Sequence, residues 1–218
     1  MDPGERAHSV TIRDVARAAQ VTPATVSRVM NRRSTVDVEL ARRVQQAAAS
    51  RGYHPSAVAQ GLARGRTELV SILVPDLGNP MFQSVLRGIS RAAGVEGYRV
   101  LVTDSHEMPL EEPFLAQETR LRTDGLVLCS PRSHDQELLE LAGKLEPFVL
   151  VNRHVEGLLA PTVAVDYAAG IRALVAHLAG LGHRHVAYLS GPMASVSNQQ
   201  RLDTVHASAE GRFELTVL

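Results

Sequence analysis

The chain has 218 residues and no net formal charge, because 23 lysines and arginines balance 23 aspartates and glutamates. Its single cysteine, Cys129, excludes a disulfide framework or a thiolate metal site within one chain. No apolar run is long enough to span a bilayer and the first nine residues are polar, so we expect a cytoplasmic protein without a membrane partner or an export signal.

Residues Val10–Asn31 contain two short amphipathic helix patterns separated by a tight turn. In the first, Thr11 can cap the helix and Asp14 occupies the position of a capping-box acid. In the second, Thr22 is the cap and Pro23 takes the first helical position, where its missing N–H costs nothing. This arrangement predicts a helix-turn-helix that reads DNA, and the alternative is an ordinary helical hairpin.

The outward face of the second helix pattern carries small residues and one guanidinium, which lets a helix lie deep in a major groove. We expect DNA contacts from the two caps, from this face and from the end of the helix. The candidate residues are Thr11, Thr22, Pro23, Ala24, Thr25, Ser27, Arg28 and Asn31.

Charge is segregated along the chain. Residues 1–66 carry 11 arginines against 5 acids, a net charge of +6, whereas residues 67–218 carry 12 basic groups against 18 acids, a net charge of −6. A solvated charged surface predicts no such segregation. A basic head on an acidic body indicates that the head binds a polyphosphate.

A third helix is predicted from Asp37 to Ser50, ending at Gly52, and a marginal helical segment follows at 56–63. Beyond residue 68, short apolar strands alternate with helices at about 80–93, 112–122, 134–144 and 167–180, which favours βαβ units in a parallel sheet. The predicted strands are Leu69–Val74, Tyr98–Thr103, Leu126–Cys129, Phe148–Val151, Thr162–Val165 and His185–Leu189.

In such sheets, ligands bind beyond the carboxyl ends of the strands. Asp104 can contact a ligand there, or it can stabilise a turn; Asp166 has the same two possibilities, as ligand contact or helix cap. The polar residues at the strand ends are Asp76, Asn79, Asp104, Ser130, Asn152 and Arg153.

Three consecutive segments, VTIRDVARAAQVTPATVSRVMN, RGYHPSAVAQGLARGRT and LVSILVPDLGNPMF, resemble the start of a LacI/GalR-type bacterial transcriptional repressor. The likeness covers about residues 9–203. It implies an all-α helix-turn-helix head, a hinge helix that orders on operator DNA, and an α/β core with a parallel sheet, like that of periplasmic binding proteins. The implied organisation is a head at 1–54, hinge helix and linker at 55–67, first lobe at 68–163, start of an incomplete second lobe at 164–203, and a divergent tail at 204–218.

The resemblance also assigns positions on DNA. The family's recognition residues fall on Pro23, Ala24 and Arg28, and its minor-groove leucine wedge falls on Leu62. Arg28 can pair bidentately with a guanine edge, worth about 1–3 kcal/mol of discrimination. One departure is Gln20 in the turn, where the family often has Gly or Asn; a left-handed conformation there costs on the order of 1 kcal/mol.

For the effector, the resemblance points to the loops after the first and fourth core strands. Arg153 is the foremost candidate, because a guanidinium fork suits hydroxyl pairs or carboxylates. Tyr167 follows Asp166 where the family usually has Asn. The effector-binding set is Asn79, Phe82, Asp104, Ser130, Asn152, Arg153 and Asp166, for a small molecule such as a sugar or a nucleobase.

Catalytic chemistry has no support in the sequence. Nucleophile, metalloprotease and phosphate-loop motifs do not occur, and Cys129 lies in a predicted buried strand. His183 and His185 have a spacing that a metal can use, but the resembling family has the same turn without a metal. We therefore expect no enzyme activity, metal or cofactor.

Two lobes and a head should need well over about 300 residues. We therefore expect a truncated or genuinely short form, with exposed apolar surface, a weakened homodimer and an impaired effector response. The predicted function is an effector-controlled DNA-binding repressor. The alternative is a small-molecule-binding module, or a repressor fragment, without a regulatory role; a secreted sugar-binding protein would instead carry an export segment and lack the basic head.

Overall fold

Residues 10–31, 36–54, 61 and 65–218 are described by a computed structural model. They divide between two units, Met1–Thr67 and Glu68–Leu218. The described part of the first unit contains three helices: α1 (Ile12–Ala18), α2 (Pro23–Met30) and α3 (Val38–Ser50). None of the helices in these ranges is both long enough and apolar enough to cross a lipid bilayer.

The ends of these helices follow the predicted signals. The Thr22 hydroxyl accepts a hydrogen bond from the Thr25 N–H at 3.2 Å, with Pro23 as the first helical residue. The Asp37 carboxylate accepts from two first-turn N–H groups of α3, each at 3.0 Å. Gly52 follows α3 with a φ of +64°, a left-handed conformation that favours glycine. The predicted helix starts and the predicted stop are confirmed.

The core of the first unit takes one fully buried valine from each helix, Val15, Val26 and Val44. Each such side chain contributes about 1.5–3 kcal/mol by leaving water. Arg43 fixes α3 against α1 by donating to the Ala19 carbonyl at 2.6 Å. The other buried residues of this cluster are Ala16, Ala19, Val29, Ala47 and Ala48.

Gln20 occupies the turn between α1 and α2 with a φ of +53°, so the left-handed conformation considered above is confirmed. We expect Gln20→Gly to stabilise the chain by about 1 kcal/mol, because glycine adopts this conformation without steric cost. Thermal and urea unfolding measure the change. Gln45→Gly, at an exposed position of α3, is the matched control and should lower the free energy of unfolding by about 0.5–1 kcal/mol. If both variants lower the free energy of unfolding equally, Gln20 is not strained.

The second unit contains a five-stranded parallel sheet with the strand order β2-β1-β3-β4-β5. Its helices, α4 (Pro80–Val95), α5 (Glu112–Arg120) and α6 (Asp135–Leu145), connect successive strands. Only β5 is clearly shorter than predicted. The strands are β1 (Leu69–Val74), β2 (Arg99–Asp104), β3 (Gly125–Cys129), β4 (Phe148–Val151) and β5 (Thr162–Val163).

Both faces of this sheet carry buried apolar side chains, which explains why the strands read as continuous apolar runs. One face contributes Leu73, Leu126, Leu128 and Leu150 to a cluster with α5 and α6. The other face includes Cys129, which is 1% exposed. Burial raises the pKa of this thiol to about 12, so it stays protonated and unreactive at neutral pH, as predicted for a buried strand cysteine.

A smaller parallel sheet lies in the C-terminal part of the second unit. It pairs β6 (His185–Tyr188) with β7 (Glu214–Val217). The helix α7 (Tyr167–Gly180) precedes β6, and α8 (Val196–Ala209) connects β6 to β7. From the sequence, no helix or strand is predicted after Leu189. The structure corrects this with α8 and with β7, whose alternating Glu-Leu-Thr-Val run pairs with a strand 29 positions earlier.

Candidate DNA-binding surface and ligand cleft

The start of α1 is organised by Thr11 and Asp14. The Asp14 carboxylate accepts from the Thr11 hydroxyl at 2.6 Å and from the Thr11 N–H at 3.0 Å. These two bonds, the hydroxyl first, hold the pKa of Asp14 below its ordinary value of 3.8. The Thr11 hydroxyl is therefore engaged with Asp14, and Thr11 itself is exposed.

The outward face of α2 is partly open to solvent. Exposed are Thr22, Pro23, Ala24 and Arg28, whereas Thr25, Ser27 and Asn31 are half-buried. The Asn31 side-chain amide donates to the Ser27 hydroxyl at 3.3 Å, which closes the C-terminal end of this face. Small side chains around one long guanidinium leave the N-terminal half of α2 free to approach a flat or grooved partner.

Arg28 differs from Arg17 and Arg42, two other exposed arginines in the described part of the first unit. Arg17 lies 3.8 Å from Asp14, and Arg42 donates two hydrogen bonds to Glu39. Among the described residues, Arg28 makes neither a hydrogen bond nor an ion pair. Its guanidinium is available to an external acceptor. The predicted wedge Leu62 lies outside the described residues.

In the second unit, the candidate at the end of the β1–α4 loop, Asn79, and the candidate in the first turn of α4, Phe82, have structural roles. The Asn79 side chain caps α4 by accepting from the Met81 N–H at 2.9 Å. Phe82 is 2% exposed and packs with Ile72 and Val74 beneath the sheet. The structure therefore places Asn79 at the surface of the strand-end edge and Phe82 in the core.

Asp104 and Asp166, for which the sequence allows either ligand contact or a turn or cap role, both stabilise local structure. Asp104 accepts from the Leu77 N–H at 3.0 Å and from the His106 N–H at 2.8 Å, and so joins the loops after β1 and β2. Asp166 caps α7 by accepting from the Ala169 N–H at 2.8 Å. Both carboxylates take the turn or cap role in this structure.

Ser130 and Asn152 end β3 and β4 in left-handed conformations, with φ of +51° and +62°. The Asn152 amide donates to the Tyr167 hydroxyl at 2.7 Å and accepts from the Val165 N–H at 3.4 Å. Its polar atoms therefore hold the segment between β5 and α7. The Ser130 hydroxyl is buried without a hydrogen-bond partner among the described residues.

Arg153 lies at the wall of a cleft of about 550 Å³. Its guanidinium donates to the Asp135 carboxylate at 2.6 Å and to the Ser133 carbonyl at 3.1 Å, while its buried Nε has no partner in the described structure. A buried donor without a partner is costly, so the guanidinium of Arg153 is not fully satisfied in this structure. The cleft is lined by Pro109, Arg132, Ser133, His134, Asp135, Arg153, His154, Met193, Ala194, Val196 and Gln199.

Sequence reasoning missed the buried polar groups behind this cleft. Arg132 lies three residues after the end of β3, and Glu107 lies three residues after the end of β2, so the strand-end rule could have found both. Glu112 gave no such signal, because its partners Arg132 and Ser133 lie 20 and 21 residues further along the chain.

Arg201 of α8 contacts Tyr167. Its guanidinium carbon lies 4.8 Å from the centre of the Tyr167 ring, a cation–π arrangement. Tyr167, which departs from the residue usual in the resembling family, thus connects Asn152 with α8.

The described residues contain no cluster of three or more His, Cys, Asp or Glu side chains placed to hold a metal. His185 is one of the two histidines whose spacing a metal can use. Its Nδ1 atom is 3.1 Å from a carboxylate oxygen of Glu214 on the paired strand.

Two family models match the chain. Residues 11–56 match the bacterial regulatory proteins of the lacI family, and residues 67–214 match the periplasmic binding proteins and sugar binding domain of the LacI family. The chain belongs to the LacI family. The expected architecture, a helix-turn-helix head followed by a periplasmic-binding-protein-like core, is confirmed. The match of the second family model continues to residue 214, beyond the range of about 9–203 expected from the sequence motifs.

Curated relatives are regulators by name. The chain is 31% identical to the catabolite control protein A of Priestia megaterium over 194 residues, 88% of this chain and 58% of that protein. It is 31% identical to the transcriptional repressor CytR of Escherichia coli K12 over 84% of this chain and 54% of the repressor. The ribose operon repressor of Halalkalibacterium halodurans is 32% identical, over 88% of this chain and 57% of the repressor. The chain thus spans little more than half the length of these LacI-family proteins.

Solved LacI-family structures share the fold. The lac repressor dimer bound to operator and the anti-inducer ONPF superposes with a TM-score of 0.77 at 25% identity, over 95% of this chain and 65% of that chain. The Cra regulator of Pseudomonas putida, in complex with fructose 1-phosphate, gives a TM-score of 0.61 at 25% identity, over 69% of this chain and 57% of that one.

Proposed function

We propose that this LacI-family chain is a sequence-specific DNA-binding transcriptional repressor. A small-molecule effector controls its affinity for operator DNA. The observation that carries the proposal is the exposed face of α2, where Arg28 has no partner among the described residues and is surrounded by small side chains. The names of the relatives, which are regulators and repressors, support the same role.

On DNA, α2 lies in the major groove with Pro23, Ala24 and Arg28 towards the bases, and Leu62 enters the minor groove. Thr11, Thr22, Thr25, Ser27 and Asn31 complete the contact surface. Two copies read the two halves of a pseudo-palindromic operator as a homodimer in the cytoplasm. Residues 55–67 form the hinge, and the boundary between the two units at Thr67 supports this limit.

The effector, a sugar or a nucleobase-like molecule, binds at the carboxyl edge of the five-stranded sheet. Arg153 is its main polar contact, supported by the place of this residue in the lining of the cleft. The proposed binding set is Asn79, Phe82, Asp104, Ser130, Asn152, Arg153 and Asp166; of these, Arg153 lines the cleft described above. Ligand binding changes the closure of the lobes and displaces the hinge helices from DNA. No catalytic step belongs to this function.

The test is a salt-titrated fluorescence anisotropy assay with the complete chain and labelled duplex DNA. The association constant should fall linearly on a double-logarithmic plot as salt rises, because phosphate contacts release counterions. D-ribose and fructose 1-phosphate are the first effector probes, chosen from the names of a relative and a solved neighbour. Sugar binding without DNA binding at any salt concentration would instead favour a ligand-binding module without a regulatory role.

A further inference from the structure

The segment 130–135, which follows β3 and forms one wall of the cleft, is held from behind by a buried carboxylate. Glu112, the first residue of α5, is 2% exposed. Its carboxylate accepts four hydrogen bonds: from the Ser105 hydroxyl at 3.0 Å, the Arg132 N–H at 2.6 Å, and the Ser133 N–H and hydroxyl at 2.8 and 2.9 Å. Three of these four donors belong to two consecutive residues of the cleft wall.

The same wall holds Arg153 from the opposite side. The Ser133 carbonyl accepts from the Arg153 guanidinium at 3.1 Å, and the Pro131 carbonyl lies 3.5 Å from it. Ser133 therefore donates to Glu112 through its N–H and hydroxyl while it accepts from Arg153 through its carbonyl. Hydrogen bonds to an ionised group are stronger than neutral ones, and bonds in a chain polarise one another.

An ion pair between the buried Arg132 side chain and the partly exposed Glu107 carboxylate also supports the wall. The Arg132 guanidinium donates to both Glu107 carboxylate oxygens at 2.6 and 2.7 Å and to the Ser130 carbonyl at 3.1 Å. Glu107 itself has a φ of +57°. The wall segment is thus fixed by its backbone to Glu112 and by its longest side chain to Glu107.

We propose that Glu112 is a positioning residue of the ligand cleft, which sets the place of the Arg153 guanidinium through Ser133. The expected effect on ligand affinity rests on the proposed function, whereas the contacts that join Glu112, Ser133 and Arg153 do not depend on it. The Arg132 N–H and both Ser133 donors bond to one oxygen of Glu112, Oε2, while the other oxygen accepts from the Ser105 hydroxyl. A glutamine at position 112 keeps the shape of the side chain and can place its NH₂ group against the Ser105 hydroxyl, so that Arg132 and Ser133 bond to a neutral amide oxygen in place of a carboxylate. Bonds to a neutral acceptor are weaker than those to an ionised one, so the wall is held less tightly and Arg153 moves with it.

The experiment compares Glu112→Gln with the matched control Glu118→Gln. Glu118 lies on the same helix and pairs with Arg122 on the surface. Amide hydrogen exchange and the side-chain Nε–H resonance of Arg153, assigned with Arg153→Lys, are measured by NMR on the complete chain. Glu112→Gln should speed exchange at the Arg132 and Ser133 amides by about tenfold or more and shift the Arg153 resonance, whereas the control should change neither.

Ser133→Ala removes a single donor and should give a smaller change in the same direction, which keeps the test available if Glu112→Gln does not fold.

With D-ribose or fructose 1-phosphate as the probe, the dissociation constant should rise by about tenfold in Glu112→Gln. A lower melting temperature with an unchanged Arg153 resonance overturns the proposal. A wild-type chain that binds neither sugar contradicts the choice of effector class, while the NMR result still decides the coupling between Glu112 and Arg153.

Discussion

Replacing Arg28 by alanine should relax sequence preference at one base pair of each operator half-site. A guanidinium that pairs with a guanine edge contributes about 1–3 kcal/mol of discrimination, so the preference for that base should fall by about 5-fold to 150-fold. Selection of duplexes from a random pool, with the wild-type chain and with the variant, measures this change position by position.

Arg42→Ala is the control for this experiment. Arg42 is also an exposed arginine of the first unit, but its guanidinium is already paired with Glu39 on α3. We expect this variant to keep the base preferences of the wild type. If Arg28→Ala and Arg42→Ala select the same sequences as the wild-type chain, Arg28 does not read a base.

Glu107→Ala should destabilise the second unit by about 3–5 kcal/mol. The side chain of Arg132 is only 5% exposed, and Glu107 supplies the carboxylate that both of its paired N–H groups bind. Removing that partner leaves a buried positive charge with the Ser130 carbonyl as its remaining acceptor, which costs far more than the loss of a surface pair. Urea unfolding measures the change in free energy.

Glu118→Ala is the matched case for the Glu107 prediction. Its ion pair with Arg122 is on the surface, with the Glu118 side chain 42% exposed, so the loss should be no more than about 1 kcal/mol. Adding Arg132→Met to Glu107→Ala should recover much of the stability, since no buried charge then remains. Similar losses for the two alanine variants would show that the Glu107–Arg132 pair is not effectively buried.

The parts of the fold that the sequence predicted well are those with local signals. Thr22, Pro23 and Asp37 mark helix starts within one turn of the chain, and the helical spacing around Val26 identifies the buried face of α2. The strands of the five-stranded sheet are apolar because both faces are covered, so their positions are visible in the sequence itself. In contrast, β7 depends on pairing with β6, which no local pattern reports.

The ligand cleft was harder to predict, because residues distant in the sequence bind or bury the side chains around it. Phe82 lies on the inward face of α4 and is buried in the core. Asn152 stands at a strand end, as expected, but its amide is used by Tyr167 and Val165. The Glu112 carboxylate sits at a helix start, where an acid is ordinary, and only the fold brings Arg132 and Ser133 to it.

The most direct test of the central proposal is selection from a random pool of DNA duplexes by the complete chain at low ionic strength. The proposal predicts enrichment of a pseudo-palindrome with two similar half-sites, bound with an affinity that weakens steeply as salt is added. A pool that remains random after repeated rounds, with a correctly folded chain, would contradict DNA reading by α2.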